Sequence, residues 1–240
     1  MNSAGAPSVP PANPMARAIN ALIVPVCARL PGGIRAVTHA VHHESPPRMR
    51  AVEQTTAAQH LDREALEAGL DEIRQAPSDH GRVELIVCRP EVEQRKVLAE
   101  AVLDTEQGLV SDCWRTRGSS STADGSANPD MQLTLMNARS AALVAVDPDR
   151  RQLAGDQLFV DLDLSVDNLP PGSRLRIGDA TVEISAVPHR GCGKFQARFG
   201  IDALKFVNSP VGRQLNLRGV NARVVAGGIV RPGDAVSKVS

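Results

Sequence analysis

The chain has 240 residues, of which 42 % are hydrophobic and only 2 % aromatic, with no tyrosine and one tryptophan. That length suits one large domain, or a domain with a tail, whose core must be built from Val, Leu, Ile and Ala. Twenty-seven basic residues balance 27 acidic ones, so there is no basic footprint for a nucleic-acid backbone and no aromatic platform for single strands, and no apolar run nears the ~20 residues that span a bilayer.

The first 50 residues stand apart. They hold eight of the 17 prolines, five arginines and a single acidic residue, Glu44. "MNSAGAPSVPPANP" reads as disordered. The short apolar run "INALIVPVCA", broken by Pro25, gives weak signal-peptide and transit-peptide readings. The alternatives are a floppy tail or a start assigned too early, with Met49 as the later start. The expected division is a tail over 1–58 and a single domain over 59–240.

In "LDREALEAGLDEIRQAP", Leu66, Leu70 and Ile73 form a helical stripe, with Asp62 as N-cap and Pro77 as terminator. "RVELIVCRP" reads as a strand with Val83, Leu85 and Val87 on one face and Glu84, Ile86 and Cys88 on the other. The segment 111–130 is a long loop rich in Ser, Gly, Asp and Asn, carrying Trp114, Arg115 and Arg117. Loops of that length inside a domain are often functional. "MQLTLMNARSAALVAV" starts as a strand and continues as a short helix capped by Asn137. In "DQLFVDLDLS", Leu158, Val160, Leu162 and Leu164 alternate with Phe159, Asp161 and Asp163, so the two carboxylates are expected on a solvent face rather than in a metal or acid–base pair. "SRLRIGDATVEIS" is a hairpin turning at Gly178-Asp179 with type II′ geometry. "RGVNARVV" and "DAVSKV" supply further strands, joined by the Gly- and Pro-rich "AGGIVRPG". Short strands, tight turns and no βαβ alternation point to a mainly β fold with a few helices, a small β-barrel.

The four cysteines, Cys27, Cys88, Cys113 and Cys192, are at least 25 residues apart. That spacing lacks paired zinc ligands and favours a reducing, cytoplasmic setting. Cys192 in "PHRGCGKF" is the leading chemical candidate. A reactive cysteine needs access and cationic neighbours, and His189, Arg190 and Lys194 surround it. Gly191 and Gly193 leave the backbone bare, and Pro188 places the segment in a loop. Arg198, Arg218 and Arg223 lie in the same half of the chain and could bind phosphate or carboxylate, or form surface ion pairs.

Several segments, in order, resemble the MOSC domain family, named for the C-terminal domain of molybdenum cofactor sulfurase. "EQGLVSD", with Gly108, Leu109 and Asp112, is similar to the family's G-L-x-G-D segment. "MQLTLMNARSAAL", "LAGDQLFVDLDLS", "LPPGSRLRIGDATVEIS", "PHRGCGKF" and "LRGVNARVVAGGIVRPGD" follow the family's order, and the likeness is strongest over 104–238. Ser111 before Asp112 and Asp156-Gln157 in place of a Glu-Asn pair mark a divergent, small stand-alone branch of bacterial type. The resemblance implies a β-barrel of MOSC type and a molybdenum cofactor, a metal held by a pterin dithiolene, with Cys192 as metal ligand. It implies cofactor contacts by His189, Lys194, Arg198, Arg218, Arg223, Asp112 and Asp156. The implied activity is reduction of N-hydroxylated small molecules with a redox partner. The alternatives are a sulfur carrier using a Cys192 persulfide formed from a sulfur donor, and a non-catalytic ligand-binding barrel. Family members fused to an aminotransferase-like domain use pyridoxal phosphate, for which this sequence shows no site. No nucleic-acid or membrane partner is expected.

Overall fold

A computed structural model describes residues 59–239; the tail and targeting readings for residues 1–58 lie outside the described residues. Two short helices come first, α1 (Arg63–Ala68) and α2 (Leu70–Arg74). Asp62 caps α1 by accepting the Ala65 N–H at 2.9 Å, and Leu66 and Ile73 are buried as the stripe predicts.

The strands follow as β1 (Gly81–Cys88), β2 (Lys96–Leu98), β3 (Ala101–Asp104), β4 (Gly108–Leu109), β5 (Leu133–Asn137), β6 (Leu158–Asp161), β7 (Arg174–Ile177), β8 (Ala180–Ile184), β9 (Val220–Ala226), β10 (Gly228–Val230) and β11 (Ala235–Lys238). Between them lie α3 (Trp114–Arg117), α4 (Ala138–Ala145), α5 (Gly193–Asn208) and α6 (Pro210–Gln214). Seven strands close a barrel in the order β1-β6-β5-β9-β8-β7-β11, with β11 returning to β1 and β2 extending β1 outward. A separate three-stranded sheet, β10-β3-β4, sends Ala101, Leu103, Leu109 and Val230 into the barrel's interior cluster. The expected mainly β barrel is therefore present.

Four expectations need correction. β5 and β6 pair in parallel, Leu135 opposite Leu158, and α4 lies on the connection between them, so one βαβ unit is present after all. On β1 the simple alternation fails because the register against β6 shifts between Val83 and Leu85. That bulge turns Val83, Ile86 and Cys88 into the barrel, while Leu85 and Val87 face the helices. The outer face of β6 is covered rather than solvated: Phe159 is buried against the helices, and Asp161 accepts from Arg139 Nε at 2.7 Å. The joining segment "AGGIVRPG" contains β10 and is not merely a loop.

Other local readings agree. Asn137 caps α4, its side-chain oxygen accepting the N–H groups of Arg139 and Ser140 at 2.8 and 3.1 Å. Gly178 has φ +54° at the first corner of the β7–β8 turn, a backbone region that suits glycine. A second apolar cluster fills the space between the barrel's outside and the helices. It includes Phe195, Phe199, Ala203, Phe206 and Val207 of α5. Among the described residues no helix is long and apolar enough to cross a membrane.

Candidate functional site

The segment 185–192 leaves β8, crosses the barrel's outside and ends at the start of α5. Cys192 is the N-cap residue of α5, extended in backbone and exposed in side chain. Two features hold it there. Asn208, at the far end of α5, clasps Gly191 through both backbone groups, accepting its N–H and donating to its carbonyl, each at 3.0 Å. Phe195 and Phe199 then anchor the first half of the helix in the second core, their ring centroids 4.9 Å apart. The two flanking glycines differ in role. A Cβ on Gly191 would lie 2.8 Å from Leu204 Cδ1 and 2.9 Å from Val207 Cγ2, so a larger residue there must push these side chains aside, whereas Gly193 faces open space.

Behind Cys192 lies a cavity of about 180 Å³. Six cationic side chains line it: Arg89, Arg95, Arg117, Lys194, Arg198 and Arg218. No carboxylate lines it. Three carboxylates stand behind or beside the cations. Asp112, fully buried, takes Arg89 in a two-pronged pair with both distances 2.9 Å, and also accepts the N–H groups of Arg89 and Trp114. Asp156, also fully buried, accepts from Arg218 Nη1 at 2.6 Å. Glu93 bridges Lys194 Nζ, at 2.6 Å, and Arg198. Six cations against three carboxylates leave a surplus of three positive charges around the cavity. Arg95 registers that surplus: burial first, then the neighbouring Arg198 and Arg89, lower its pKa from the usual guanidinium range.

His189 lines the same cavity with Nδ1 3.4 Å from Asp156 Oδ1. Burial and then the positive charge of Arg218 lower its pKa to about 3, against the opposing pull of Asp156, so it is a neutral imidazole at physiological pH. Arg218 packs its guanidinium 5.0 Å from the centroid of the Phe195 ring and donates to the Ala154 carbonyl at 2.9 Å. Six buried side-chain polar atoms lack a hydrogen-bond partner among the described residues, and four belong to residues lining this cavity: Arg95 Nε, His189 Nδ1, Arg218 Nε and Asn221 Oδ1. His189 Nδ1 and Asp156 Oδ1, both among the six, face each other at 3.4 Å, so the cavity-lining residues' atoms left for a ligand or water are Arg95 Nε, Arg218 Nε and Asn221 Oδ1.

The structure thus brings Cys192, His189, Lys194, Arg198 and Arg218 to one cavity. Asp112 and Asp156 sit behind the cavity wall and hold Arg89 and Arg218 in place. Arg223 is elsewhere. It is on β9, half-exposed, two residues beyond Asn221 on the same outer face, and pairs with Glu183 of the neighbouring strand at 2.5 Å, outside the cavity lining. Arg89, Arg95 and Arg117 were not singled out as ligand contacts by sequence. Arg117 ends α3, a short helix inside the 111–130 segment that the sequence presents as a long loop, and Arg89 follows β1 directly; only the Asp112 pairing, 23 residues away in sequence, shows which way Arg89 faces. Cys88 and Cys113 are buried, and Cys88 Sγ donates to the Ser111 carbonyl at 3.0 Å. Among the described residues no group of three or more His, Cys, Asp or Glu side chains could hold a metal ion unaided.

A family model for the MOSC domain matches residues 124–237. Among solved structures, the YuaD protein from Bacillus subtilis matches with a TM-score of 0.49 and 16 % identity over 65 % of this chain and 93 % of that one. YiiM from Escherichia coli matches with a TM-score of 0.44 and 21 % identity over 66 % of this chain and 70 % of that one. Comparison with curated proteins gives no match.

Proposed function

Through residues 124–237 the chain belongs to the MOSC domain family, and on that premise we propose that it binds a molybdenum cofactor in the cationic cavity, with Cys192 as the protein's ligand to the metal. The observation that carries this reading is the meeting of one exposed thiol with a cavity lined by six cations and no carboxylate. A pterin-held metal brings its own dithiolene sulfurs, so it asks of the protein one soft donor and a place for an anionic phosphate. Thiolate is the soft donor, and arginine forks match phosphate oxygens. The residues fit such a group in a third respect. Two guanidinium nitrogens of its lining, Arg95 Nε and Arg218 Nε, are buried without a partner among the described residues.

When bound, the cofactor would supply a metal centre for two-electron chemistry on a small molecule, for which N-hydroxylated compounds are the candidate substrates and a redox protein the candidate electron source. The chain's own residues would do the following. Arg95, Arg117 and Lys194 would meet the phosphate at the open side. Arg89 and Arg218, fixed by Asp112 and Asp156, would supply charge that does not need to reorganise on binding. His189, neutral, would offer a hydrogen bond without adding charge. A cytoplasmic location fits the free thiols and remains part of the proposal.

A second reading rests on the exposure of Cys192 at the start of α5: an accessible thiol beside cations could carry a persulfide sulfur. The two readings separate by mass. Incubation with a persulfide donor, whose outer sulfur passes to the Cys192 thiolate as its own thiol leaves, adds one sulfur to Cys192 if the protein is a carrier. For the cofactor reading, full-length protein from a cofactor-producing host should contain molybdenum and phosphate in equal amounts, and Arg95→Ala should lower both together. Retention of neither in the wild type would refute it.

A further inference from the structure

We propose that a second cavity, of about 160 Å³, is a binding site for a small molecule with an apolar body and one carboxylate, held against the wall that this cavity shares with the cationic one. The shared wall is formed by His189 and Asn221, which line both cavities. As a ligand site the proposal stands on its own geometry; as the substrate site it rests on the cofactor reading of the neighbouring cavity.

The lining divides by chemistry. Val166, Leu169, Ile184 and Val187 give it an apolar body. Arg190 and Arg213 supply two cations, both exposed, and no aspartate or glutamate is in the lining. Among the described residues neither arginine makes an ion pair, a state they share with Arg95, Arg117, Arg150, Arg151 and Arg176, so no carboxylate of the described chain neutralises the two charges at this cavity. An apolar cavity of roughly 150 Å³ is enough to hold a benzene ring, so one ring or a short branched chain fits, with its anion at the arginines. The inner wall is polar. Asn221 donates through Nδ2 to the Val187 carbonyl at 3.0 Å, which holds the partition in place, while its Oδ1 has no partner. A pocket that is apolar in body, with a few converging polar groups, is the usual form of a small-molecule site.

The walls are fixed from several directions. The Val166 N–H donates to the Gln214 carbonyl at 2.9 Å, and Asn216 Nδ2 donates to the Leu164 carbonyl at 2.8 Å, so the 164–166 and 214–216 segments are tied to each other. Ser185 N–H donates to the Asn221 carbonyl at 2.9 Å. The cavity therefore lies between cross-linked segments.

The probe is benzoate, titrated into isotopically labelled full-length protein and followed by amide chemical shifts. Saturable shifts are expected around Val187, Arg213 and Asn221. Benzyl alcohol and inorganic phosphate should each bind at least about tenfold more weakly, because each keeps only half of the recognised chemistry. Arg190→Ala combined with Arg213→Ala should weaken benzoate by at least about tenfold, and Ala186→Trp, an exposed lining position, should block it. Arg213→Ala alone should keep the wild-type metal content, since Arg213 neither lines the cationic cavity nor adjoins Cys192. Absent shifts, shifts elsewhere, or indifference to the arginine substitutions would overturn the proposal, even with molybdenum present. Benzoate binding in a protein that retains no molybdenum would instead uphold the pocket and refute only the cofactor reading.

Discussion

Asp156 shows how much of the candidate site depends on residues that do not face it. Its carboxylate is fully buried, holds Arg218 at 2.6 Å and faces His189. Removing one partner of a buried pair leaves the other charged and desolvated, so Asp156→Ala should lower unfolding free energy by about 3–5 kcal/mol. Arg223→Ala, which breaks a half-exposed pair with Glu183, should cost under about 1 kcal/mol. Urea denaturation of both variants checks the contrast. His189 makes a second prediction. In the folded protein it stays neutral down to about pH 3, while an unperturbed imidazole titrates near 6.5. As pH falls below 6.5, the unfolded chain takes up the proton first, so stability is full above that pH and declines towards pH 3. His189→Gln should flatten the decline between pH 6.5 and 5, measured as unfolding free energy against pH. At this scale the sequence was legible where chemistry is local: Cys192 stood out by its neighbours, whereas Arg95 and Arg117 acquire meaning only from a surplus of charge that the fold assembles.

Among the elements, α5 does most to place the site, and it is bent. Gly200 interrupts it with φ +88° and ψ 168°, a region that is nearly glycine-only. The carbonyl of Arg198 beside the break is met by His60 Nε2 at 3.1 Å and by Arg150. Gly200→Ala should therefore cost about 1–3 kcal/mol and also disturb the contact to His60, whose Nδ1 would lie 3.0 Å from the new Cβ. Asn137→Ala should cost about 1–2 kcal/mol or more, since it removes both the α4 cap and a buried bond to the Leu162 carbonyl at 2.8 Å. Thermal or urea unfolding reads both. The Asn137 cap was legible because capping is written in adjacent residues. The phase of β1 was not, because a bulge is decided by the partner strand. The run from Gly193 to Asn208 does not read as a helix in the sequence: its two glycines, Gly193 and Gly200, and the preceding loop signals obscure a stripe of Phe195, Phe199, Ala203 and Phe206.

Across the whole molecule, the barrel and the cationic cavity form on opposite sides of one sheet wall. The barrel interior is apolar and closed, while Thr134 on β5, Asn221 on β9 and Gln157 just before β6 are buried polar residues of that wall. Gln157 Oε1 accepts both the N–H and the hydroxyl of Thr134, at 2.9 and 2.6 Å. Amide exchange should thus be slower in the seven barrel strands, each of which pairs on both sides, than in β2 and β4, which lie at sheet edges. The β-rich class was legible from alternation and turns; the parallel β5–β6 pair was not, because a short helix and a 3₁₀ segment between two strands do not declare their direction. The central claim concerns Cys192 and the cavity behind it. Full-length wild type and Cys192→Ala, expressed in a host that makes molybdenum cofactor, can be compared for bound molybdenum by mass spectrometry after matched purification. The account predicts molybdenum near one equivalent in the wild type and a clear loss in Cys192→Ala, with unchanged folding because the side chain is exposed. Equal molybdenum in both proteins, or only traces in the wild type, would contradict it.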